Sequence, residues 1–237
     1  MKKWLTLALI ITITSFSKAN DIADFTRSAD AFLKKYVNNG SVAYSKIKNN
    51  KTEITQLYNN IGKVSLAGTD IRSKKAFYIN AYNLIVIYSI LQHYPVKSPM
   101  DIDGFFDKKE HLVAGDKLTL NKLEKDKLLS SYKDARFHFV LVCAAKSCPP
   151  IFNGAFTPEN VEDLLEQRTK ITVNNDSWLK VDSKQKRVEL SKIFEWYNTD
   201  FTDGSNSVLN WINEFRTTKI PLNYKVAYYE YNWALND

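Results

Sequence analysis

With 237 residues, 44% of them hydrophobic and 25% charged, the chain can bury one sizeable core and is too apolar to be disordered. Thirteen Phe, thirteen Tyr and five Trp against seven Gly and six Pro exclude fibrous and low-complexity classes. The net charge of +7 comes without an arginine cluster or basic–aromatic alternation, so nucleic acid is not an expected partner.

Lys2 and Lys3 precede an apolar run from Trp4 to Phe16, and Ser17 and Ala19 supply small residues at the −3 and −1 positions of a cleavage site. Residues 1–19 are therefore expected to be a secretory signal peptide, with an uncleaved anchor as the rival reading. Residues 20–237 are expected to form a single globular domain. The run is short for a bilayer, so no membrane span is expected after cleavage, and the expected location is periplasmic or secreted. Loss of Lys2, Lys3 and Lys18 lowers the formal charge to +4.

The mature part opens with an amphipathic pattern over 21–37, where Phe25, Ala29, Phe32, Leu33 and Tyr36 share a stripe ended by Asn38, Asn39 and Gly40. A second helix is predicted over 51–64. The third, 74–93, has Ser73 as its expected cap and is apolar nearly all round, which marks a central, buried helix about 30 Å long. Asn80 and Asn83 lie three apart on it and so share a side, where something polar must meet them. A hairpin is expected to turn at Ala114–Asp116, followed by a helix over 122–132 with Asn121 and Glu124 at capping-box spacing. The apolar, β-branched run Phe137–Val142 reads as a strand buried on both faces and contains His138. Beyond it come a helix over 158–169, strands 178–181 and 187–190, a short helix capped by Ser191, a helix over 207–216 and a closing strand over 225–233. The fold class is α+β, with the long helix and several amphipathic ones packed on a small mixed sheet that contains Phe137–Val142.

Cys143 and Cys148 are the chain's only cysteines. In an exported protein, two thiols five positions apart with Ala144–Ser147 between them are expected to form a disulfide, stabilising by about 2 kcal/mol in the chain-entropy model. A reactive thiol or a redox pair is the alternative. On a strand, Cys143 and His138 would face opposite ways and lie roughly 16 Å apart, which argues against a Cys/His dyad.

Five segments together resemble the bacterial and plant family called domain of unknown function 547: 76–83, 118–124, 136–150, 192–197 and 231–236. The family pattern often has His after the residue matching Glu124, where this chain has Lys125. The resemblance implies one intact domain and no particular reaction.

A polar group of His138, Asn80, Asn83 and Glu124 is the candidate catalytic site, able to position and deprotonate a water or substrate. The competing reading is a satisfied core histidine, a Glu124 that caps its helix, and asparagines that pin helix to strand. No nucleophile elbow, His-Glu-x-x-His, phosphate loop or dinucleotide fingerprint is present, so no cofactor is expected. Nor is a metal site, with His93 at a helix end and His111 in a surface loop. The aromatic segments Phe194–Tyr197 and Tyr228–Trp233 either line a groove or close the core. The function expected is a binding or interaction module of the cell envelope, its partner an unknown small molecule or envelope protein. The alternative is a hydrolase-like enzyme with His138 as general base and Asn80, Asn83 and Glu124 as positioning groups. A concave, water-accessible pocket with His138 on its wall favours the enzyme; a fully buried imidazole favours the module.

Overall fold

The computed structural model describes the backbone of residues 9–237 and side chains from Asp21 onward, and the expected signal peptide lies outside the residues whose side chains are described. Helix α1 (Leu9–Tyr36) is followed by a two-residue pair, β1 (Val37–Asn38) and β2 (Ser41–Val42), which turns through Asn39 and Gly40, both in left-handed conformation. A Cβ at position 40 would lie 2.5 Å from the Cβ of Pro150, so glycine is required there on both counts. Helices α2 (Tyr44–Asn49) and α3 (Thr52–Ile61) bring the chain to α4 (Ile71–His93).

Helix α4 is the axis of the main core, burying Phe77, Ile79, Leu84, Ile85, Val86, Ile87 and Ile90 among α1, α3 and α7. Its cap is Asp70, not Ser73: the Asp70 carboxylate accepts from the Ser73 backbone N–H at 3.0 Å and from its hydroxyl at 2.6 Å. The helix therefore begins three residues earlier than its apolar pattern implies, because the first turn is exposed. Among the described residues no helix is long and apolar enough to cross a membrane.

The expected hairpin is present as β3 (His111–Val113) and β4 (Asp116–Leu118), with Ala114 and Gly115 both at positive φ as a tight hairpin turn requires. His111 is not in a surface loop. It sits in β3 and is buried, its Nδ1 3.0 Å from the Tyr58 hydroxyl, because the hairpin folds back on α3 through the Ala114 N–H to Ile61 carbonyl bond. Next comes α5 (Leu120–Glu124), capped by Thr119 rather than Asn121: the Thr119 hydroxyl accepts from the Lys122 N–H. The helix widens into a π-turn at Lys125–Leu129 and closes as α6 (Ser130–Tyr132).

The run Phe137–Val142 is not a strand. Residues Ala135–Phe139 form a 3₁₀-helix, opened by Asp134, whose side chain accepts from the Arg136 N–H. The following segment meets a side chain where a strand neighbour would stand. Asn83 donates to the Val140 carbonyl at 2.9 Å and accepts from the Val142 N–H at 2.9 Å. Burial and β-branching do mark an interior segment, but its partner is an amide on α4. Nothing in local propensity distinguishes the two.

Helix α7 (Val161–Val173) leads to β5 (Leu179–Asp182) and β6 (Arg187–Leu190), then α8 (Ile193–Trp196), α9 (Asn198–Thr202), α10 (Val208–Phe215) and β7 (Lys225–Tyr228). The sheet is mixed, ordered β5-β6-β7, antiparallel then parallel. Ser207 caps α10 through the Asn210 N–H. A second core of Phe139, Phe194, Phe201, Trp211 and Ile212 joins this sheet to the short helices. Phe139 lies within 6.3 Å, centroid to centroid, of Trp178, Phe194, Phe201 and Trp211. The 3₁₀-helix thus serves both cores, with Phe137 in one and Phe139 in the other. The fold is α+β, as its pattern implies, with the strand material in three small sheets.

The closing strand is shorter than expected. After Tyr228 the chain leaves the sheet and runs along the cysteine loop, where Lys146 N–H bonds the Ala234 carbonyl, Ser147 N–H the Asn232 carbonyl and Asn236 N–H the Ala144 carbonyl.

Candidate functional site

The end of α5, the 3₁₀-helix with its cysteine loop, α8 and the C-terminal segment meet around one cleft of about 270 Å³, which Tyr82 of α4 and Met100 and Phe106 also line. Glu124 comes from the last turn of α5, where the π-turn begins. Such widenings relax the helix ladder and are frequent at functional sites. His138 comes from the 3₁₀-helix, and Cys143 and Cys148 line the same wall. Trp196 and Tyr197 are supplied by α8 and its end, and Tyr231 and Trp233 by the C-terminal segment. The last two are held in place by the backbone bonds to the cysteine loop. These aromatics line a groove, whereas Phe194 of the same run goes to the second core.

The two cysteines are joined, Sγ to Sγ at 2.03 Å. The Tyr231 hydroxyl sits 3.2 Å from each sulfur, so the disulfide and the C-terminal segment form one wall. Both Cys143 and His138 border the cleft, which the strand reading placed far apart. That argument against a dyad therefore falls with the strand, and the disulfide is what removes the thiol.

His138 is buried, with its side chain 3% exposed. Its Nε2 lies 2.8 Å from the Asp200 Oδ2 on α9, and its ring packs on Tyr197 and Phe201 at centroid distances of 4.1 and 5.3 Å. With Nε2–H donating to Asp200, a neutral imidazole turns its unprotonated Nδ1 toward Glu124 Oε1 at 3.9 Å. That separation is an ion-pair distance, too long for a direct hydrogen bond.

Glu124 is itself buried. Loss of solvation raises its carboxyl above the ordinary range, while the His138 charge and hydroxyl bonds from Tyr197 and Tyr82 act in the opposite direction. The Tyr82 hydroxyl donates to Oε2 at 3.4 Å. Burial in turn pushes the Tyr82, Tyr197 and Tyr231 hydroxyls up, so each is a donor throughout the physiological range. The cleft therefore holds a carboxyl shifted toward neutral pH beside an imidazole oriented by a second carboxylate. This pair can exchange a proton with a bound molecule.

Asn80 and Asn83 are placed elsewhere. The Asn80 amide donates to the Phe156 carbonyl at 2.8 Å and accepts from the Phe156 N–H at 2.9 Å, as Asn83 does with Val140 and Val142. Neither lines the cleft. Of the four proposed site residues, Glu124 and His138 are brought together, and the asparagines clamp the backbone behind them. Sequence reasoning missed Asp200 and Tyr82. Tyr82 sits between the two asparagines on an apolar helix, and Asp200 is an ordinary helix-surface residue until α9 is folded against the 3₁₀-helix. Among the described residues, no group of three or more His, Cys, Asp or Glu side chains is arranged to hold a metal ion.

Residues 66–171 match the family model described as "Protein of unknown function, DUF547". This stretch of the chain is similar to that family. The matched span contains α4, Glu124, His138 and both cysteines, while Asp200 and the aromatic residues of α8 and the C-terminal segment lie beyond it. No curated protein and no solved structure gives a significant match.

Proposed function

We propose that this chain is an exported small-molecule-binding protein whose ligand occupies the Glu124–His138 cleft. The observation that carries this reading is a buried carboxyl and a buried imidazole side by side on the wall of a concave cleft rich in aromatic side chains. Apolar walls with a few convergent polar groups are the usual make-up of a ligand site. Export is supported by the signal-like pattern of residues 1–19 and by the Cys143–Cys148 bond, which persists in oxidising compartments. The test is a fragment screen on the folded protein by amide and indole NMR. Hits whose shifts map to Tyr197, Tyr231 and Trp233, and which weaken at least tenfold in Glu124→Gln, are the expected outcome. Hits scattered over the surface, or insensitive to that substitution, overturn it.

A second reading is favoured by one specific contact, the 2.8 Å Asp200–His138 bond. A carboxylate that fixes the tautomer of an imidazole is the arrangement of a general base. In this reading the protein is hydrolase-like, with His138 Nδ1 accepting a proton and Glu124 positioning or returning it. Asn80 and Asn83 then contribute only by holding the backbone. Turnover of a bound ester or amide, lost in His138→Gln and reduced in Asp200→Asn, separates catalysis from binding.

A further inference from the structure

The occupant of the cleft can be narrowed by charge and by wall chemistry. Among the described residues no Lys or Arg lines the cleft, and its polar side chains are Asn121, Glu124, His138 and the tyrosine hydroxyls. Lys125 follows Glu124 in the chain but is exposed and outside the lining. Two carboxyls, Glu124 and Asp200, share one imidazole. The group therefore carries net negative charge unless a carboxyl takes up a proton in addition to the imidazole. An anionic ligand such as a phosphate or a carboxylate would meet no lysine or arginine here, would find the one imidazole already shared by two carboxyls, and would face Glu124 directly.

The opening of the cleft is aromatic. Trp196, Tyr231 and Trp233 form a mutually contacting triangle with centroid separations of 5.0, 5.8 and 4.7 Å. Trp196 stays 48% exposed although it is large and apolar, so the core does not require it there. Aromatic faces attract cations, most strongly from indole, and the attraction grows as the cation is desolvated. An aromatic rim above a buried carboxylate is complementary to a compact organic cation.

We infer that the cleft is selective for a small organic cation, an alkylammonium or quaternary ammonium group held by Trp196, Tyr231 and Trp233 and facing the Glu124 carboxylate. The inference rests on the ligand-site reading above and adds the charge class of the ligand. The quaternary or alkylated head replaces lost hydration with aromatic faces, while Glu124 supplies the opposite charge without needing a hydrogen bond.

The test uses three shape-matched probes on the full chain: (4-hydroxybutyl)trimethylammonium, its neutral carbon isostere 5,5-dimethylhexan-1-ol, and 4-hydroxybutane-1-sulfonate, each followed through the indole NMR signals. The cation is expected to bind at least about tenfold more tightly than the neutral probe, with the sulfonate weakest. Glu124→Gln is expected to shrink the cation preference to about twofold. Trp196→Leu, at an exposed position the core does not need, is expected to weaken the cation about three- to tenfold and the neutral probe far less. Equal binding of cation and neutral probe, or preference for the sulfonate, overturns the charge assignment and leaves the ligand-site reading standing. If the fragment screen finds cleft ligands while no cation competes with them, the charge assignment fails alone; if no molecule of any charge perturbs the cleft, both fail.

Discussion

Two sets of buried polar side chains, one on helix α4 and one beside it, use their hydrogen bonds differently. At Asn80 and Asn83, one donor and one acceptor of each amide are matched to backbone groups at 2.8–2.9 Å. At Glu124 and His138, Asp200 takes the imidazole Nε2 at 2.8 Å, but Nδ1 faces Glu124 only at 3.9 Å, Tyr82 reaches Glu124 only at 3.4 Å, and the pair borders a cleft. A group whose amide nitrogen and oxygen both bond the backbone contributes to stability; a group with capacity left over and an opening beside it is available to a ligand. Burial and residue type alone do not separate the two sets, since Asn80, Asn83, Glu124 and His138 are all buried.

The difference can be broken by substitution. Asn83→Ala strands the Val140 carbonyl and the Val142 N–H, and Asn80→Ala strands both backbone groups of Phe156. Each is expected to cost about 2–4 kcal/mol in urea unfolding, with Asn83→Ala also loosening the approach to the cysteine loop. A loss below about 1 kcal/mol in both would mean that the clamps are not structural.

His111 sharpens the comparison because it is a third buried polar group, away from the cleft. Its Nδ1 meets Tyr58 while its Nε2 is buried without a partner, and burial, reinforced by the Lys109 charge, pushes its pKa down to about 4 from an ordinary 6.5. The unfolded chain therefore takes up the proton first as pH falls. The contribution is intact above 6.5 and is lost as pH drops toward 4, by an amount on the order of 2 kcal/mol. Urea midpoints between pH 7 and 4 should show this slope in the native chain and lose it in His111→Phe. An unchanged slope in the variant would assign the acid sensitivity elsewhere.

Reducing the Cys143–Cys148 bond should cost about 2 kcal/mol, the chain-entropy value for so short a loop. Because Tyr231 contacts both sulfurs, reduction should also shift the Tyr231 and Trp233 NMR signals while leaving those of α10 in place. A global loss of dispersion would show that the loop holds more than the cleft wall.

The smallest effect is expected at the cleft. Glu124→Gln should change stability at neutral pH by no more than about 1 kcal/mol, and in the stabilising direction. The sign follows from burial: a carboxyl whose folded pKa is raised contributes fully below its unfolded value, and that contribution is lost as pH rises through the folded one. This runs opposite to His111, so the two variants should diverge across the same pH window. A loss of 3 kcal/mol on Glu124→Gln would place Glu124 with the asparagines, as part of the framework.

Much of the framework was legible because it is periodic. The 3.6-residue stripes of α1 and α3, the unbroken apolar surface of α4 and the Ala114–Gly115 turn carry their positions in residue order. The strand reading of Phe137–Val142 failed because a central run with no polar alternation states burial, not partner, and the partner was Asn83. The surface-loop reading of His111 fails for a related reason: three residues of strand give no period, and what buries the ring is the docking of the hairpin on α3, beside Tyr58. At the site, Glu124 and His138 were recognisable as unusual residues in well-defined segments. Asp200 depends on α9 folding against the 3₁₀-helix, and the Tyr231–Trp233 wall on the path of the C-terminal segment across the cysteine loop; both are long-range pairings with no local signal.

The most direct measurement is a carbon-13 NMR titration of the Glu124 side-chain carboxyl in the folded, oxidised protein. A midpoint above the ordinary 4.5, rising further when His138→Gln removes the neighbouring positive charge, is the expected result. A midpoint at or below 4.5, indifferent to the imidazole, would contradict the coupling of the two groups on which the cleft's assignment depends.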